Sequence, residues 1–376
     1  MKSFLLRLVV LNLLFISLNC SFQLSIFDEL NKSNRGKNLI ISPLSIFQIL
    51  SLTANGAREK TQLEMIEALK NIDIDTLNAI NYEILEASNE FKTIEIANAV
   101  MSKFTPLQEF MDVAEKYCAP IEELISAEQV NNWCSEKTHG KITKILSQLE
   151  PSVQMILLNA VYFKGEWTNK FKEALTEKKD FYNLGNDVKQ VDTMKQMSNF
   201  NYYQDSQIQA IELPYRNDSM SAVIILPQEN VDINKYITSL NSEENGINEL
   251  FSNLNYAKVN LELPKFELRF ESSLVEVLKD MGMEEAFTDD ADFTGLREKK
   301  NLKIDDVIHK TYLKIDEGGT EAAAVTAVIV KVTSALPHTP EIVYNMKVNR
   351  PFLFLLRSKV LPRDYDLLFM SKIEQL

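Results

Sequence analysis

The sequence contains few of the residues on which catalysis and cofactor binding most often depend. Its 376 residues include three histidines, three cysteines and ten glycines. No two glycines lie two or four positions apart, so neither the G-x-G-x-x-G dinucleotide motif nor the G-x-S-x-G nucleophile elbow can occur. The histidines are far apart, none begins an H-E-x-x-H motif, and the cysteines are too few for a zinc cluster. The sequence therefore indicates no cofactor, no metal and no catalytic triad, and we expect a protein that is not an enzyme.

Basic side chains are also in the minority. The chain has 53 acidic and 40 basic residues, a formal net charge of −13, and it has no run of four or more lysines or arginines. Such a chain lacks the positive surface that binding to phosphate groups requires. We therefore expect neither nucleic acid nor a membrane surface as a partner. A content of 45% hydrophobic and 25% charged residues is typical of a folded globular protein with a large core.

Residues 1–20 have the pattern of a secretory signal peptide. Lys2 and Arg7 precede a short apolar stretch, which is not long enough to span a bilayer. The bond after Cys20 is the best candidate for cleavage, although an uncleaved, buried first helix would give a similar pattern. We therefore expect a secreted, extracellular protein.

Secretion would have consequences for the cysteines and for two asparagines. Cys118 and Cys134 would be the only thiols in an oxidising compartment, where they could pair or remain buried, and their spacing does not decide between these outcomes. Acceptor sequences for N-glycosylation begin at Asn31 and Asn217 in polar, turn-like segments. We expect glycosylation at these two asparagines.

Hydrophobic periodicity predicts helices in the first part of the chain. One helix begins at Phe22 and ends at a polar turn. A second is capped by Ser42, has Pro43 in its first turn and is apolar nearly all round, which predicts deep burial. A third begins near Glu59 and is expected to bury Leu63 among its apolar residues.

Further along the chain, helices and strands alternate irregularly. The strand candidates are Val153–Phe163, Ser221–Leu226, Lys258–Leu263, His309–Ile315 and Phe352–Leu356. The helical stretches that separate them are Glu128–Lys137 and Ser272–Met281. This order lacks the regularity of repeated βαβ units, and no linker marks a boundary. The pattern therefore predicts an α+β fold built as one interdependent domain.

The most informative segment runs from Glu317 to Thr333. It follows a strand candidate and begins with the adjacent glycines 318 and 319, which can form a hinge. Read alternately from residue 320, one face holds Thr320, Ala322, Ala324, Thr326, Val328, Val330 and Val332. Both charged residues, Glu321 and Lys331, fall on the other face. As a strand, the segment could therefore lie inside a sheet with an uncharged face against the core.

This segment resembles the hinge and reactive-centre loop of the serpins, and the likeness extends from about Phe22 to the C-terminus. The other matching motifs, in chain order, are Asn38–Ile46 (NLIISPLSI), Val130–Ile142 (VNNWCSEKTHGKI), Leu158–Trp167 (LNAVYFKGEW), Leu261–Phe266 (LELPKF) and Asn349–Leu353 (NRPFL). Several independent motifs in one order make the match highly specific. It implies one serpin domain over residues 21–376, with three β-sheets, about nine helices and an exposed reactive-centre loop at about residues 317–343.

The resemblance also implies an activity. In serpins the exposed loop is bait for a serine protease, which cleaves it and forms an acyl-enzyme. The freed loop then inserts into the central sheet as a new strand and the trapped protease is distorted. The expected partner is therefore a target serine protease held in a covalent complex, and the inhibitor is expected to be a monomer.

The hinge residues match this role one by one. Under the resemblance Glu317 is the acidic base of the hinge, Gly318 and Gly319 permit the bend, and Thr320 is the first side chain that must enter the sheet. The residues that follow are Glu321, Ala322, Ala323, Ala324, Val325 and Thr326; only Glu321 is charged, and Ala322 to Val325 are small enough not to obstruct insertion. A charged or bulky residue at 320 would block insertion. Its absence favours an inhibitor over the non-inhibitory carriers, hormone precursors and chaperones of the family.

Family spacing places the cleaved bond between Thr333 and Ser334. A small β-branched residue such as Thr333 suits an elastase-like protease with a shallow apolar pocket. Lys331 would instead attract a trypsin-like enzyme, with two residues less of insertable strand. The segment after the bond is longer than in many relatives, so a shift of the cleaved bond toward Leu336 stays open.

The resemblance also marks residues that act mechanically. Those that correspond to the region where the central sheet of serpins opens are Ser42, Ser45, Asn159 and His309, with Trp167 at its top. His139 and His338 have no such neighbours in the pattern and are expected at the surface or in turns. The helix expected around residues 59–90 is acidic where some serpins bind glycosaminoglycans, so no heparin-type activator is expected.

Overall fold

The structure is a computed structural model that describes residues 21–88, 94–185, 187–216, 219–242, 246–320 and 342–376. Its α-helices are α1 Phe22–Ser33, α2 Pro43–Ala54, α3 Glu59–Ala68, α4 Ile74–Ser88, α5 Gln108–Lys116, α6 Ala127–Lys137, α7 Ile233–Ser242, α8 Gly246–Asn253 and α9 Val275–Asp280. Its strands are β1 Leu39–Ile41, β2 Ile94–Ser102, β3 Ile121–Glu123, β4 Met155–Phe163, β5 Gly165–Glu166, β6 Glu177–Tyr182, β7 Val188–Gln204, β8 Ile208–Pro214, β9 Met220–Pro227, β10 Asn255–Pro264, β11 Phe266–Ser273, β12 Asp306–Asp316, β13 Gly319–Thr320, β14 Val343–Lys347, β15 Phe352–Ser358 and β16 Leu367–Ile373. None of the helices in these ranges is long and apolar enough to cross a membrane.

The described strands form two hydrogen-bonded sheets. The central sheet has seven strands in the order β3-β2-β4-β12-β13-β5, with β11 paired to β12. The second sheet has nine strands in the order β1-β16-β15-β9-β8-β7-β10-β14, with β6 paired to β7. The 17-residue strand β7 joins two parts of this sheet, because β6 and β10 pair along it while β8 pairs only with its last residues. The α+β class and about nine helices are confirmed, and two of the three expected sheets are continuous through β7.

Strands β4 and β12 lie at the middle of the central sheet. They are parallel, with Ile156–Val161 opposite Asp306–Thr311. Side chains along β4 alternate between two apolar layers. Those facing the main core, with α2, are Met155, Leu157, Val161 and Phe163; those in a smaller cluster with Trp133 of α6 are Ile156, Leu158 and Ala160. Burial on both faces explains why this strand is an unbroken apolar run in the sequence.

The expected strands and most of the expected helices are present. All five strand candidates correspond to strands, namely β4, β9, β10, β12 and β15, although β4 begins at Met155 rather than at Val153. All twelve residues of α2 are buried, as its apolar composition predicts. Ser42 lies at the N-cap of this helix, as predicted. It makes no side-chain capping bond, and its hydroxyl is buried with no hydrogen-bond partner among the described residues.

The region after Glu59 differs from the expectation of one helix. It forms α3 and α4, separated by a turn in which Lys70 has a positive φ of 57°, a conformation that cannot continue a right-handed helix. Leu63 is 60% exposed rather than buried, because the buried side of α3 carries Met65 and Ile66 among others. The helical stretch predicted from Ser272 is shorter than expected, since β11 continues to Ser273 and α9 begins only at residue 275.

The structure also bears on the cysteines and on glycosylation. Neither Cys118, which is exposed, nor Cys134, which is buried, forms a disulfide within the described ranges. The expectation that Asn31 lies in an accessible turn is wrong, because Asn31 belongs to α1 and is only 1% exposed. A buried amide cannot carry a glycan in this conformation. Asn217 and His338 lie outside the described residues, while His139 is exposed and lies in a turn after α6, as expected.

Candidate functional site

The hinge begins where β12 ends. The N–H of Gly318 donates to Oδ1 of Asp316 at 2.9 Å, which closes the turn that reverses the chain. Gly319 and Thr320 then form β13, antiparallel to β12 on one side and to β5 on the other. The start of the hinge is therefore already part of the central sheet. Residues 321–326, together with Lys331, Thr333 and Ser334, lie outside the described residues.

Gly319 is the one hinge position at which the described backbone demands glycine. Its φ is +143°, a region that side chains with a Cβ rarely adopt. A Cβ at this position would also lie 2.0 Å from the carbonyl oxygen of Gly165 and 2.8 Å from the Cα of Glu166. Both atoms belong to the backbone of β5, which cannot rotate away as a side chain could.

Replacing Gly319 with alanine should therefore destabilise the native form by about 3 kcal/mol or more, through backbone strain and overpacking. Gly36→Ala is the matched control, since Gly36 also has a positive φ, +76°, but nothing within 4 Å of the added Cβ. This control should cost about 1 kcal/mol. Thermal unfolding of both variants measures the difference, and equal losses would show that close packing against β5 is unimportant.

Thr320 is fully buried and contacts the side chain of Tyr215. Its Oγ1 lies 2.8 Å from the hydroxyl of Tyr215, and burial raises the pKa of this tyrosine well above its usual value. The ring of Tyr215 stacks on Trp167, with ring centroids 4.5 Å apart. Trp167 in turn holds the hinge turn, because its Nε1–H donates to the carbonyl of Asp316 and its backbone N–H to that of Gly318, both at 3.0 Å. Trp167 thus lies against the turn from which the hinge begins.

Glu317 is tied to two other elements. Its carboxylate lies 2.8 Å from Nζ of Lys265 and accepts a hydrogen bond from the hydroxyl of Thr176 at 2.7 Å. Burial alone would raise the pKa of Glu317, but the hydrogen bonds from Lys265 and Thr176 outweigh it and leave the pKa below its usual value. The side chain is therefore ionised at neutral pH and fixes the start of the hinge turn.

Ser42, Ser45, Asn159 and His309 meet in one buried hydrogen-bond network. Oδ1 of Asn159 lies 2.8 Å from Nδ1 of His309 and accepts from the hydroxyl of Ser45 at 2.8 Å. Nε2 of His309 accepts from the backbone N–H of Ser42 at 3.1 Å. Asn159 and His309 are opposite each other in the parallel pairing of β4 with β12. The bond between them thus spans the two strands that would separate if the central sheet opened.

The network fixes the protonation state of His309. An amide oxygen can only accept, so Nδ1 must carry the proton that it donates to Asn159, and Nε2 must be unprotonated to accept from Ser42. The imidazole is therefore neutral. Burial, which is complete, lowers the pKa of His309 to about 3 because the interior disfavours the charged form.

Several residues of this site carried no assigned role in the sequence. Lys265 belongs to the motif at residues 261–266, but its sequence position gave no sign of the partner Glu317. Tyr215, Thr176 and Gly165 are far from the hinge along the chain, and only the sheet brings them to it. In the described residues no group of three or more histidine, cysteine, aspartate or glutamate side chains could hold a metal ion.

A family model described as Serpin (serine protease inhibitor) matches residues 17–376. The chain belongs to the serpin family. It is 32% identical over 363 residues to intracellular coagulation inhibitor 2 of Tachypleus tridentatus, covering 91% of this chain and 87% of that protein. Among solved structures, the native thermophilic serpin tengpin is similar with a TM-score of 0.85 and 31% identity, over 95% of this chain and 93% of the other. Human thyroxine-binding globulin in complex with its hormone is also similar, with a TM-score of 0.83 and 25% identity over 95% and 97% of the two chains.

Family membership sets the general expectation for this serpin. Serpins are generally inhibitors that form complexes with serine proteases rather than catalysts, and some members of the family are non-inhibitory. The parallel contact between β4 and β12 means that no strand lies between them over residues 156–161 and 306–311. The described part of this serpin is therefore in a form in which the central sheet is closed over that stretch.

Proposed function

We propose that this serpin is a secreted suicide inhibitor of an elastase-like serine protease, cleaved between Thr333 and Ser334. The hydroxyl oxygen of the protease serine attacks the carbonyl carbon of Thr333, and the bond to the nitrogen of Ser334 breaks. The released amine takes a proton from the general acid of the protease, while the ester to Thr333 remains. The freed loop then inserts between β4 and β12 before water can hydrolyse this ester.

The observation that carries this proposal is the register of β13. Thr320 lies opposite Ile315, and Gly319 opposite Asp316. If the same antiparallel pairing continues along β12, residues 321–329 come to lie opposite residues 314–306. Residues 306–311 of that stretch are the ones that now pair with β4. Insertion would thus replace one parallel pairing with two antiparallel ones, which are slightly more stable per residue.

The same register assigns the faces of the inserted strand. Residues directly opposite one another share a face of the sheet, and Ile315, Leu313 and Thr311 are buried in β12. Ala322 and Ala324, opposite the latter two, would therefore enter the buried side with small side chains. Glu321 would lie opposite Lys314, whose side chain is 44% exposed. The one charge in the inserted part of the hinge would thus meet an opposite charge near the surface.

The elastase-like preference rests on the side chain at 333. A shallow apolar primary pocket accepts a small β-branched residue such as Thr333. Cleavage after Lys331 by a trypsin-like protease is the second candidate. It would leave two residues less of strand to insert, which weakens trapping.

The alternative is a non-inhibitory role, which is a different class of function. Thyroxine-binding globulin, which is similar to this chain, was solved in complex with thyroxine, so a protein of this fold can bind a small ligand. The uncharged, buried Thr320 favours the inhibitory role, because a hinge that can enter the sheet is needed only for trapping.

Incubation with purified proteases separates these possibilities. We expect pancreatic elastase to give a complex with the serpin that survives SDS, and trypsin to give mainly cleaved serpin. Mass spectrometry of the released C-terminal peptide should show a fragment that begins at Ser334. Cleavage by both enzymes without a stable complex, and without a gain in thermal stability of the cleaved form, would contradict inhibition.

The secretory proposal is tested separately. Removal of residues 1–20 would leave a single domain that starts at Ser21, the residue whose hydroxyl accepts from the N–H of Leu24 at the start of α1. N-terminal sequencing of protein from the medium of expressing cells should begin at this residue. Protein that is retained inside the cells with Met1 intact would contradict secretion.

A further inference from the structure

The segment that joins α6 to β4, residues 138–154, covers one face of the central sheet. All of its residues are described, and none of them belongs to a helix or a strand. Ile142 and Ile145 of this covering segment are buried in the same apolar cluster as Leu158 of β4 and Ile308 of β12. The covering segment therefore lies over the junction of β4 and β12, where the proposed insertion would occur.

On one side of this junction, a side chain of α6 holds the covering segment. The side-chain oxygen of Asn131 accepts from the N–H groups of Ile145 and Leu146, at 2.6 and 2.9 Å. Its Nδ2 donates to the carbonyl of Leu146 at 2.8 Å. The helix α6 packs on β4, with Trp133 among the contacting residues. The covering segment is thus expected to stay with β4 if β4 and β12 separate.

On the other side of the junction, two basic side chains hold the covering segment to β11 and β12. Nη1 of Arg269, on β11, donates to the carbonyl of Lys141 at 3.0 Å. Nζ of Lys310, on β12, donates to the carbonyl of Lys144 and forms an ion pair with Glu271 at 2.7 Å. The side chain of Lys310 is only 7% exposed, so its ammonium group needs these partners. Charged donors therefore connect the covering segment to the strands beyond the junction.

A new strand between β4 and β12 would pull these two sets of bonds apart. Neighbouring strands lie about 4.8 Å from one another, so β12 would move away from β4 by roughly that distance. A hydrogen bond does not survive such a displacement. In the register of β13 with β12, Val325 would lie opposite Lys310, on the face that the covering segment occupies. Because Asn131 keeps the covering segment on α6, the bonds from Arg269 and Lys310 are the ones that must break.

We propose that Arg269 and Lys310 are positioning residues that set the rate at which a strand enters the central sheet. Their bonds to the covering segment hold β12 beside β4, and entry of a strand waits for these bonds to break. This inference rests on the proposed insertion, but not on the identity of the protease. Removal of either bond should speed the entry of a strand whose own sequence is unchanged.

The test supplies the strand as a separate peptide and needs no protease. A peptide with the sequence of residues 322–333, with a fluorescent dye at its N-terminus, is incubated with the full-length protein, and fluorescence anisotropy follows its incorporation. Lys310→Met and Arg269→Met keep a long side chain that cannot donate to a carbonyl. We expect each variant to incorporate the peptide about tenfold faster than the wild type, because one hydrogen bond from a charged donor is lost. The double variant should be faster than either single variant.

Two control variants separate these bonds from other effects. Glu271→Gln removes the ion pair of Lys310 but leaves its bond to the carbonyl of Lys144, and it should incorporate the peptide at the wild-type rate. Gly36→Ala lowers stability at a turn outside the central sheet, so it measures the effect of destabilisation alone and should give a smaller increase. If Lys310→Met does not fold, Arg269→Met provides the test, since the side chain of Arg269 is 63% exposed.

Incorporation at the wild-type rate by both methionine variants would overturn the proposal. An equal increase in Glu271→Gln or in Gly36→Ala would also overturn it, because the ion pair or the lower stability would then account for the change. If no variant incorporates the peptide, insertion between β4 and β12 is wrong and the proposal fails with it. Failure of the proposed inhibition is a different result, in which the methionine variants incorporate the peptide faster but no protease gives an SDS-stable complex.

Discussion

Replacing Thr320 with arginine is expected to turn this serpin from an inhibitor into a substrate. In the inserted form, residue 320 would lie within a continuous strand whose neighbouring residues pair on both sides, so a guanidinium at this point would be buried without a partner. The resulting penalty is about 3 kcal/mol or more, which slows insertion at least about 100-fold. Hydrolysis of the acyl-enzyme then precedes trapping. The SDS-stable complex should disappear while cleavage of the loop continues.

The native form should tolerate this change better than the inserted form. Strand β13 contains only Gly319 and Thr320, so the native hinge can leave the sheet with the loss of two residue pairs with β12, two with β5 and the bond to Tyr215. We expect a modest fall in the melting temperature. Thr320→Ser is the control, since it keeps a small side chain and the hydroxyl that contacts Tyr215, and it should form the complex as the wild type does. Unchanged complex formation by Thr320→Arg would show that insertion of residue 320 is not required.

Acidification is expected to weaken the closed central sheet through His309. Burial lowers the pKa of this histidine from 6.5 to about 3. The unfolded chain therefore binds a proton at this position at a higher pH than the folded form does. A group of this kind contributes stability that is complete above pH 6.5 and is lost as the pH falls toward 3. The full contribution is about 5 kcal/mol. Protonation would place a second N–H on Nε2, opposite the N–H of Ser42, and would force the network to break.

Urea unfolding of the native form between neutral pH and about pH 4, followed by fluorescence, measures this effect. The control is His309→Gln, which is neutral throughout. The contribution of Asp366 to stability changes with pH in the opposite direction. Burial raises the pKa of Asp366 to about 7 despite the salt bridge to Arg357, so its contribution to stability is lost as the pH rises. Since Asp366 is present in both proteins, the difference between wild type and variant isolates His309. We expect this difference to shrink as the pH falls, and parallel curves would contradict the role given to the histidine.

Much of the fold was predictable because its signals are local. The apolar run of β4 and the all-round apolar helix α2 indicate burial on every side, and both elements are buried in the structure. The predictions failed where packing against another element determines whether a residue is buried. Leu63 has the spacing of a core residue, but none of the described elements covers that side of α3. Asn31 is in a polar sequence, but the packing around α1 buries it. Neither outcome is contained in the local pattern.

At the hinge, too, some features could be predicted from the sequence and others could not. The paired glycines and the small residues after Thr320 were visible in the sequence, as was the alternation that keeps charges on one face. The need for Gly319 was not, because it arises from the carbonyl of Gly165 in β5. The partners of Glu317 and Thr320 are Lys265, Thr176 and Tyr215, each of which lies 52 or more positions from the hinge residue it contacts. Their contacts depend on the sheet pairings rather than on spacing.

The sequence by itself determined the family, the uncharged face of the hinge and the lack of a motif for a catalytic or nucleotide-binding site. These properties depend on residue identity and on order along the chain. The tertiary structure alone decided that His309 is neutral and that its bond to Asn159 joins the adjacent strands β4 and β12. Those properties follow from burial and from contacts between distant segments, because the interior alters the energy of charged and polar groups and only the folded chain creates that interior.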